Sequence, residues 1–214
     1  DNSQITFDNQ STPQSGMDWQ WNFDDNSPIN TDFEPTHTFP GAGSYNVELT
    51  LIGDNCNDIV THTVMVWNNP SASIASSTNL NCYGDSNGSI NTLASNGTLP
   101  YSWSWSNGDN TQNISNLIAD TFLLTLSDAN NCTDTVSAII NEPDEIIADT
   151  NITHVSCDGY SDGSAFLILS GGTGSLNENW FMMNPNNLPA GTHPYEVTDS
   201  LGCALFDIVV INFF

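Results

Sequence analysis

Hydrophobic and polar residues alternate with a period of two along much of the chain. Tyr45, Val47, Leu49 and Leu51 are separated by polar residues, which predicts a strand with one buried face. Ile59-Val60-Thr61-His62-Thr63-Val64-Met65-Val66 reads as a second strand. Thr121-Phe122-Leu123-Leu124-Thr125-Leu126 and Tyr195-Glu196-Val197-Thr198 predict two more. Ser-Asn-Gly and Asp-Gly turns punctuate the segments between them. No stretch reads convincingly as a helix, so the chain is expected to be all-β.

The last two thirds repeat. Asn81-Cys82-Tyr83-Gly84-Asp85-Ser86-Asn87-Gly88-Ser89 matches Ser156-Cys157-Asp158-Gly159-Tyr160-Ser161-Asp162-Gly163-Ser164. Asn96-Gly97-Thr98 matches Gly171-Gly172-Thr173, and Trp105 falls on Trp180. Asp128-Ala129-Asn130-Asn131-Cys132 matches Asp199-Ser200-Leu201-Gly202-Cys203. The offset falls from 75 at the first cysteines to 71 at the second, so the second copy has lost four residues in a loop between Trp180 and Asn187. Asn69-Pro70 and Glu142-Pro143 precede strand-like segments and mark linkers, because proline cannot donate to a ladder. Three segments follow: 1–68, 69–143 and 144–214.

Charge narrows the range of partners. The 214 residues hold 25 acidic side chains and no Lys or Arg, where ordinary usage gives on the order of 20 basic residues. A net charge near -25 repels phosphate backbones and anionic headgroups, which argues against nucleic acid and anionic membranes as partners. It leaves cations, neutral glycans or another protein. No apolar run approaches the roughly 20 residues that span a bilayer, so no direct membrane insertion is expected. The opening Asp1-Asn2-Ser3-Gln4 is not a signal peptide, and a secretion signal would lie outside this segment.

Residues 1–68 carry Trp19-Gln20-Trp21-Asn22-Phe23-Asp24-Asp25, Pro35-Thr36-His37-Thr38-Phe39 and Gly43-Ser44-Tyr45-Asn46-Val47-Glu48-Leu49. This segment resembles a PKD domain. It departs at Asp24-Asp25, where the family pattern has Gly-Asp-Gly. The resemblance implies an extracellular β-sandwich with Trp21 in the core and Tyr45 bonding back to the backbone. Gln4-Ile5-Thr6-Phe7 resembles the family's second strand, with no first strand before it. Residues 80–143 and 152–214 resemble the SprB-type repeat of gliding-motility adhesins. The matching features are Cys-x-Gly-x-x-x-Gly-Ser, Gly-Thr-x-Pro-Tyr-x-x-x-Trp-Ser-Asn-Gly, Asn-Leu-x-Ala-x-Thr and Thr-Asp-x-x-Gly-Cys, of which the first copy carries nearly all and the second lacks the Pro-Tyr and Trp-Ser-Asn-Gly stretch. That resemblance implies surface adhesins exported by type IX secretion, and no catalysis. Three tandem immunoglobulin-like β-sandwich modules are therefore expected, at the cell surface.

Of five cysteines, Cys82 and Cys132 sit at matching ends of one repeat, and Cys157 and Cys203 at those of the next. A disulfide within each repeat is predicted, against the alternative of buried free thiols. Cys56 is left unpaired, or joined to a partner upstream or on a neighbouring subunit that also donates the missing strand. No C-x-x-C spacing supports zinc.

Other motifs read as structure. Gly84-Asp85-Ser86-Asn87-Gly88 and Gly159-Tyr160-Ser161-Asp162-Gly163 fit G-x-S-x-G, but a nucleophile elbow needs a strand-to-helix turn. His37 belongs to the PKD-like motif, and His62, His154 and His193 do not recur between modules. Asp24 and Asp25, adjacent at a strand end, diverge. Calcium is the small ligand best suited to the acidic loops at Asp24-Asp25, Asp54 to Asp58 and Asp158 to Asp162, but none follows the EF-hand pattern, and no cofactor is expected. Trp103 and Trp105 read as core with Tyr101, whereas Trp19 is the aromatic expected to be exposed and to contact glycans. The function expected is a non-enzymatic stalk or fibre segment of a secreted bacterial surface protein, with other copies or neighbouring modules as partners. The alternatives are a self-assembling filament joined at the first module and an accessory carbohydrate-binding segment of a secreted enzyme.

Overall fold

A computed structural model describes residues 4–12, 16–54 and 56–213. Among them are sixteen strands and no helix. The fold is all-β, in three tandem immunoglobulin-like modules. By compactness the chain divides into two units: Asp1–Ser73, Ala94–Ser104 and Leu124–Val136 in one, and Ile74–Leu93, Trp105–Leu123 and Ser137–Phe214 in the other. The middle set of strands contributes to both.

The first module holds β1 (Ile5–Thr6), β2 (Asp18–Asn22), β3 (Thr36–His37), β4 (Gly43–Ile52) and β5 (Asn57–Val66). β1 pairs with β3, and β2-β4-β5 form an antiparallel sheet. The alternation along β4 turns Val47 and Leu49 inward onto Trp21, Phe23 and Phe39. Trp21 is 6% exposed. The Tyr45 hydroxyl donates to the Gly41 carbonyl, 2.9 Å away. Asp24 and Asn26 take left-handed backbone, with φ of 60° and 65°. These are the two places where the family pattern has glycine, and Asp and Asn are among the side chains that tolerate that region.

The second set is β6 (Pro70–Thr78), β7 (Gly88–Asn96), β8 (Ser102–Trp105), β9 (Ile114–Leu117), β10 (Asp120–Ser127) and β11 (Thr133–Ile140). Its sheets are β6-β7-β9 and β11-β10-β8. Phe122, Leu124 and Leu126 alternate inward along β10, and Ile90, Trp105 and Ile140 are buried as well. The third set is β12 (Ile147–Thr153), β13 (Ser164–Ser170), β14 (Asn177–Asn179), β15 (Gly191–Thr198) and β16 (Ala204–Ile211). β12 pairs with β13, and β14-β15-β16 form the other sheet, over a core of Val155, Leu167, Trp180, Leu188, Tyr195, Val197 and Val209.

Candidate functional site: the inter-repeat bridge

The matching hairpins after β10 and β15 are built by one aspartate each. Asp199 Oδ1 accepts from the Leu201 and Cys203 amides at 2.9 Å, and Oδ2 from the Thr173 amide at 2.8 Å. Asp128 repeats this set, with Oδ1 accepting from Asn130 and Cys132 and Oδ2 from Thr98, all at 2.9 Å. Burial pushes both carboxyl groups up, but the backbone donors outweigh it and hold them below the usual carboxylate range. The hairpin closes through the Asp199 amide donating to the Cys203 carbonyl at 3.0 Å. Cys203 is thereby fixed in place. Asp128, Thr98 and Cys132 align in the repeat with Asp199, Thr173 and Cys203, so the shared hydrogen-bond set has its counterpart in the sequence.

Cys203 is bonded to Cys82, with Cα atoms 5.5 Å apart. Cys56, Cys132 and Cys157 are free thiols. The two bridges expected within repeats are thus replaced by one bridge between repeats. The reason lies in strand length. Cys203 immediately precedes β16, whereas Cys157 lies next to Val155, whose amide donates to Asn212 just past the end of β16. Eight residues of strand separate the two levels, roughly 26 Å at about 3.3 Å per residue. A disulfide tolerates a Cα separation of only about 4.4–6.8 Å. Repeat 1 has the same order along its own last strand: Cys132 precedes β11, and Leu80, near Cys82, donates to Asn141 just past it. Cysteines at the two ends of one module cannot meet, but those at facing ends of successive modules can. A recess of about 200 Å³ flanks the bridge, lined by Cys82, Tyr83, Pro143, Asp144, Ile146 and Asp199 among others.

Elsewhere the polar groups serve structure. His37 stacks on Phe23 with ring centroids 3.8 Å apart, and its Nε2 lies 2.7 Å from Asp25 Oδ2. Burial pushes Asp25 up, yet hydrogen bonds from Ser27 and His37 leave it lowered. Asp24 turns away to accept from the Asn46 amide, so the two carboxylates diverge. His193 is buried against the Pro189 carbonyl and Met183 Sδ. Ser86 and Ser161 are exposed in loops between the first two strands of their repeats. Among the described residues, no group of three or more His, Cys, Asp or Glu side chains could hold a metal ion.

Trp19 differs from expectation. It is half-buried, meets Phe33 edge-on at 5.0 Å, and its ring N–H donates to Ser11 Oγ at 3.3 Å. The short β2 strand turns Trp21 into the core, while Phe33 and Ser11 from the flanking loops cover part of Trp19. Trp105 is core, with its ring N–H on the Thr111 carbonyl, while Tyr101 and Trp103 are half-buried against each other.

Residues 1–67 match the PKD domain family, and residues 74–110 match the SprB repeat. The chain thus carries a PKD domain followed by a SprB repeat. No curated protein matches it. Among solved structures it is similar to the N-terminal eight Ig domains of Down Syndrome Cell Adhesion Molecule isoform 1.30.30, with TM-score 0.57 and 10% identity. That match covers all of this chain and 35% of the other, so the chain spans about a third of its length. At that identity the likeness speaks for the immunoglobulin-like fold alone. The three N-terminal domains of the bacteriophage RB49 outer capsid protein Hoc match with TM-score 0.37 and 12% identity, covering 100% of this chain and 95% of that one. That score carries no argument.

Proposed function

We propose that this chain is a structural, adhesive segment of a secreted bacterial surface protein: three β-modules with boundaries near 69 and 143 that act as a spacer outside the cell. The observation that carries this reading is the Cys82–Cys203 bond, which ties one repeat to the next. A covalent tie between successive modules limits bending at their junction and resists separation under load. It also persists in the oxidising surroundings of a surface protein. PKD domains and SprB repeats typify extracellular proteins, and no helix among the described residues is long and apolar enough to cross a membrane. The finer assignment, to a gliding-motility adhesin of the type IX secretion pathway, rests on the SprB resemblance.

The test is replacement within the full surface protein. A length-matched set of unrelated rigid β-modules should restore adhesion, and a flexible Gly/Ser linker should not. Loss of adhesion with both would show that these modules themselves bind the target.

A second reading is a self-assembling filament joined at the first module. β5 is exposed along most of its length, with Ile59 58% and Val60 60% accessible. A groove of about 600 Å³ beside it is lined by Phe7, Trp21, Val47, Leu49, Val60 and His62 among others. An open strand edge above an apolar groove suits an added strand.

A further inference from the structure

The two repeats share a frame but differ on one sheet face. Along β16 the outward positions Phe206, Ile208 and Val210 are 67%, 53% and 44% exposed. At the offset of 71 that aligns the hairpin cysteines, β11 holds Thr135, Ser137 and Ile139, all exposed as well. The fold therefore accepts threonine and serine at the first two positions. The core does not ask for Phe206 or Ile208 either, because Val209 and Ile211 point inward and are 1% exposed. A contiguous apolar row kept in water on one repeat and not on its sister marks a contact surface.

Charge and shape select what covers it. The cross-strand partners of the row on β15 are Glu196, Pro194 and Thr192, in that order. Pro194 is exposed and extends the apolar patch, and Glu196 already accepts from Asn179 Nδ2 at 3.2 Å. A chain with 25 acidic residues and no Lys or Arg can approach its own kind only where carboxylates are sparse, and Glu196 is the one acidic residue in these two rows. The row is also self-complementary. About a two-fold axis running across the strands, β16 of one copy lies antiparallel over β16 of the other. Ile208 then meets Ile208, and the bulky Phe206 meets the smaller Val210. The two Glu196 side chains fall about 13 Å apart, four residues of strand, each facing Thr192 of the other copy. The other sheet of this module shows Phe166 and Ile168, 67% and 57% exposed, but pairs Asp149 with Ile168. A carboxylate inside that patch has no Lys or Arg to meet and is expensive to bury.

We propose that the β15–β16 face docks a second copy of this chain as an antiparallel two-fold pair centred on Ile208. The pairing is side by side and does not depend on the spacer or filament readings. With their flanking residues the two faces bury roughly 1,000 Å², the lower edge of specific interfaces, so the dimer is weak. Screening of the mutual repulsion should tighten it as salt rises.

The test is sedimentation of the oxidised whole chain, its free thiols alkylated, over a range of concentration and salt. A reversible dimer strengthened by salt is expected. Phe206→Thr with Ile208→Ser, the residues repeat 1 carries, should weaken it about tenfold or more, whereas Phe166→Asn, again the repeat 1 residue, should leave it unchanged. A second measurement leaves the apolar row intact. Thr192→Lys should tighten the dimer about two- to fivefold at low salt by meeting Glu196 of the other copy, and Glu196→Gln should remove that gain. A chain monomeric at every concentration overturns the proposal and leaves the row to a different protein. A dimer that survives the Phe206→Thr, Ile208→Ser pair, is lost with Phe166→Asn, or gains equally from Thr192→Lys with and without Glu196 overturns it too.

Discussion

Pulling on the two ends of the oxidised chain should leave most of it folded. Force entering at residue 1 reaches Cys82, crosses the sulfur–sulfur bond to Cys203 and leaves through β16. The residues between the two cysteines are bypassed. They are 121 positions apart in sequence, while their Cα atoms stand 5.5 Å apart. At about 3.3–3.6 Å per extended residue, reduction should release roughly 400 Å of additional contour length when the repeats unfold. Single-molecule force spectroscopy with and without reductant reads this length directly. Cys82→Ala should match the reduced chain, and Cys157→Ser should match the oxidised wild type. Equal contour lengths under both conditions would refute the reasoning. So would a gain shortened to the two smaller loops that Cys82–Cys132 and Cys157–Cys203 bonds would hide.

Acid should loosen the hairpins. Asp128 and Asp199 have lowered pKa values, so the stability they contribute is present above the unfolded value near 3.8 and is lost as pH falls through the folded value. Urea midpoints should drop more steeply below about pH 4 for wild type than for an Asp128→Asn, Asp199→Asn double variant. Base should act through Tyr195, which burial first and Asp207 second push up to about 12 from 10.0. A raised value means stability held below pH 10 and lost as pH rises toward 12, and Tyr195→Phe should flatten that loss in a circular-dichroism titration. Leu124 is 0% exposed, and Leu124→Ala should cost about 2–5 kcal/mol in denaturant unfolding.

The strands were legible because their chemistry is local. Period-two alternation in Tyr45 to Leu51 and Thr121 to Leu126 needs no partner to be recognised, and β4 and β10 lie there. The PKD pattern was legible despite Asp24 and Asn26, because both residues tolerate the left-handed backbone that glycine would take. Disulfide pairing was not legible. Cysteine spacing that recurs with a module says that each position has a fixed role, not which module supplies its partner. Direction along the strand decides that, and it emerges only when Cys203 is seen before β16 and Cys157 beyond its far end. Trp19 was misjudged for a related reason: Phe33 and Ser11, which cover it, come from loops that no periodicity describes.

Peptide mapping of the oxidised chain most directly tests the repeat-to-repeat tie. With no Lys or Arg for trypsin, cleavage at Asp and Glu under non-reducing, acid-quenched conditions is needed. One linked pair containing Cys82 and Cys203 should appear, with Cys132 absent from any bonded peptide. Cys82 found joined to Cys132, and Cys203 to Cys157, would contradict the staple between repeats and the spacer built on it.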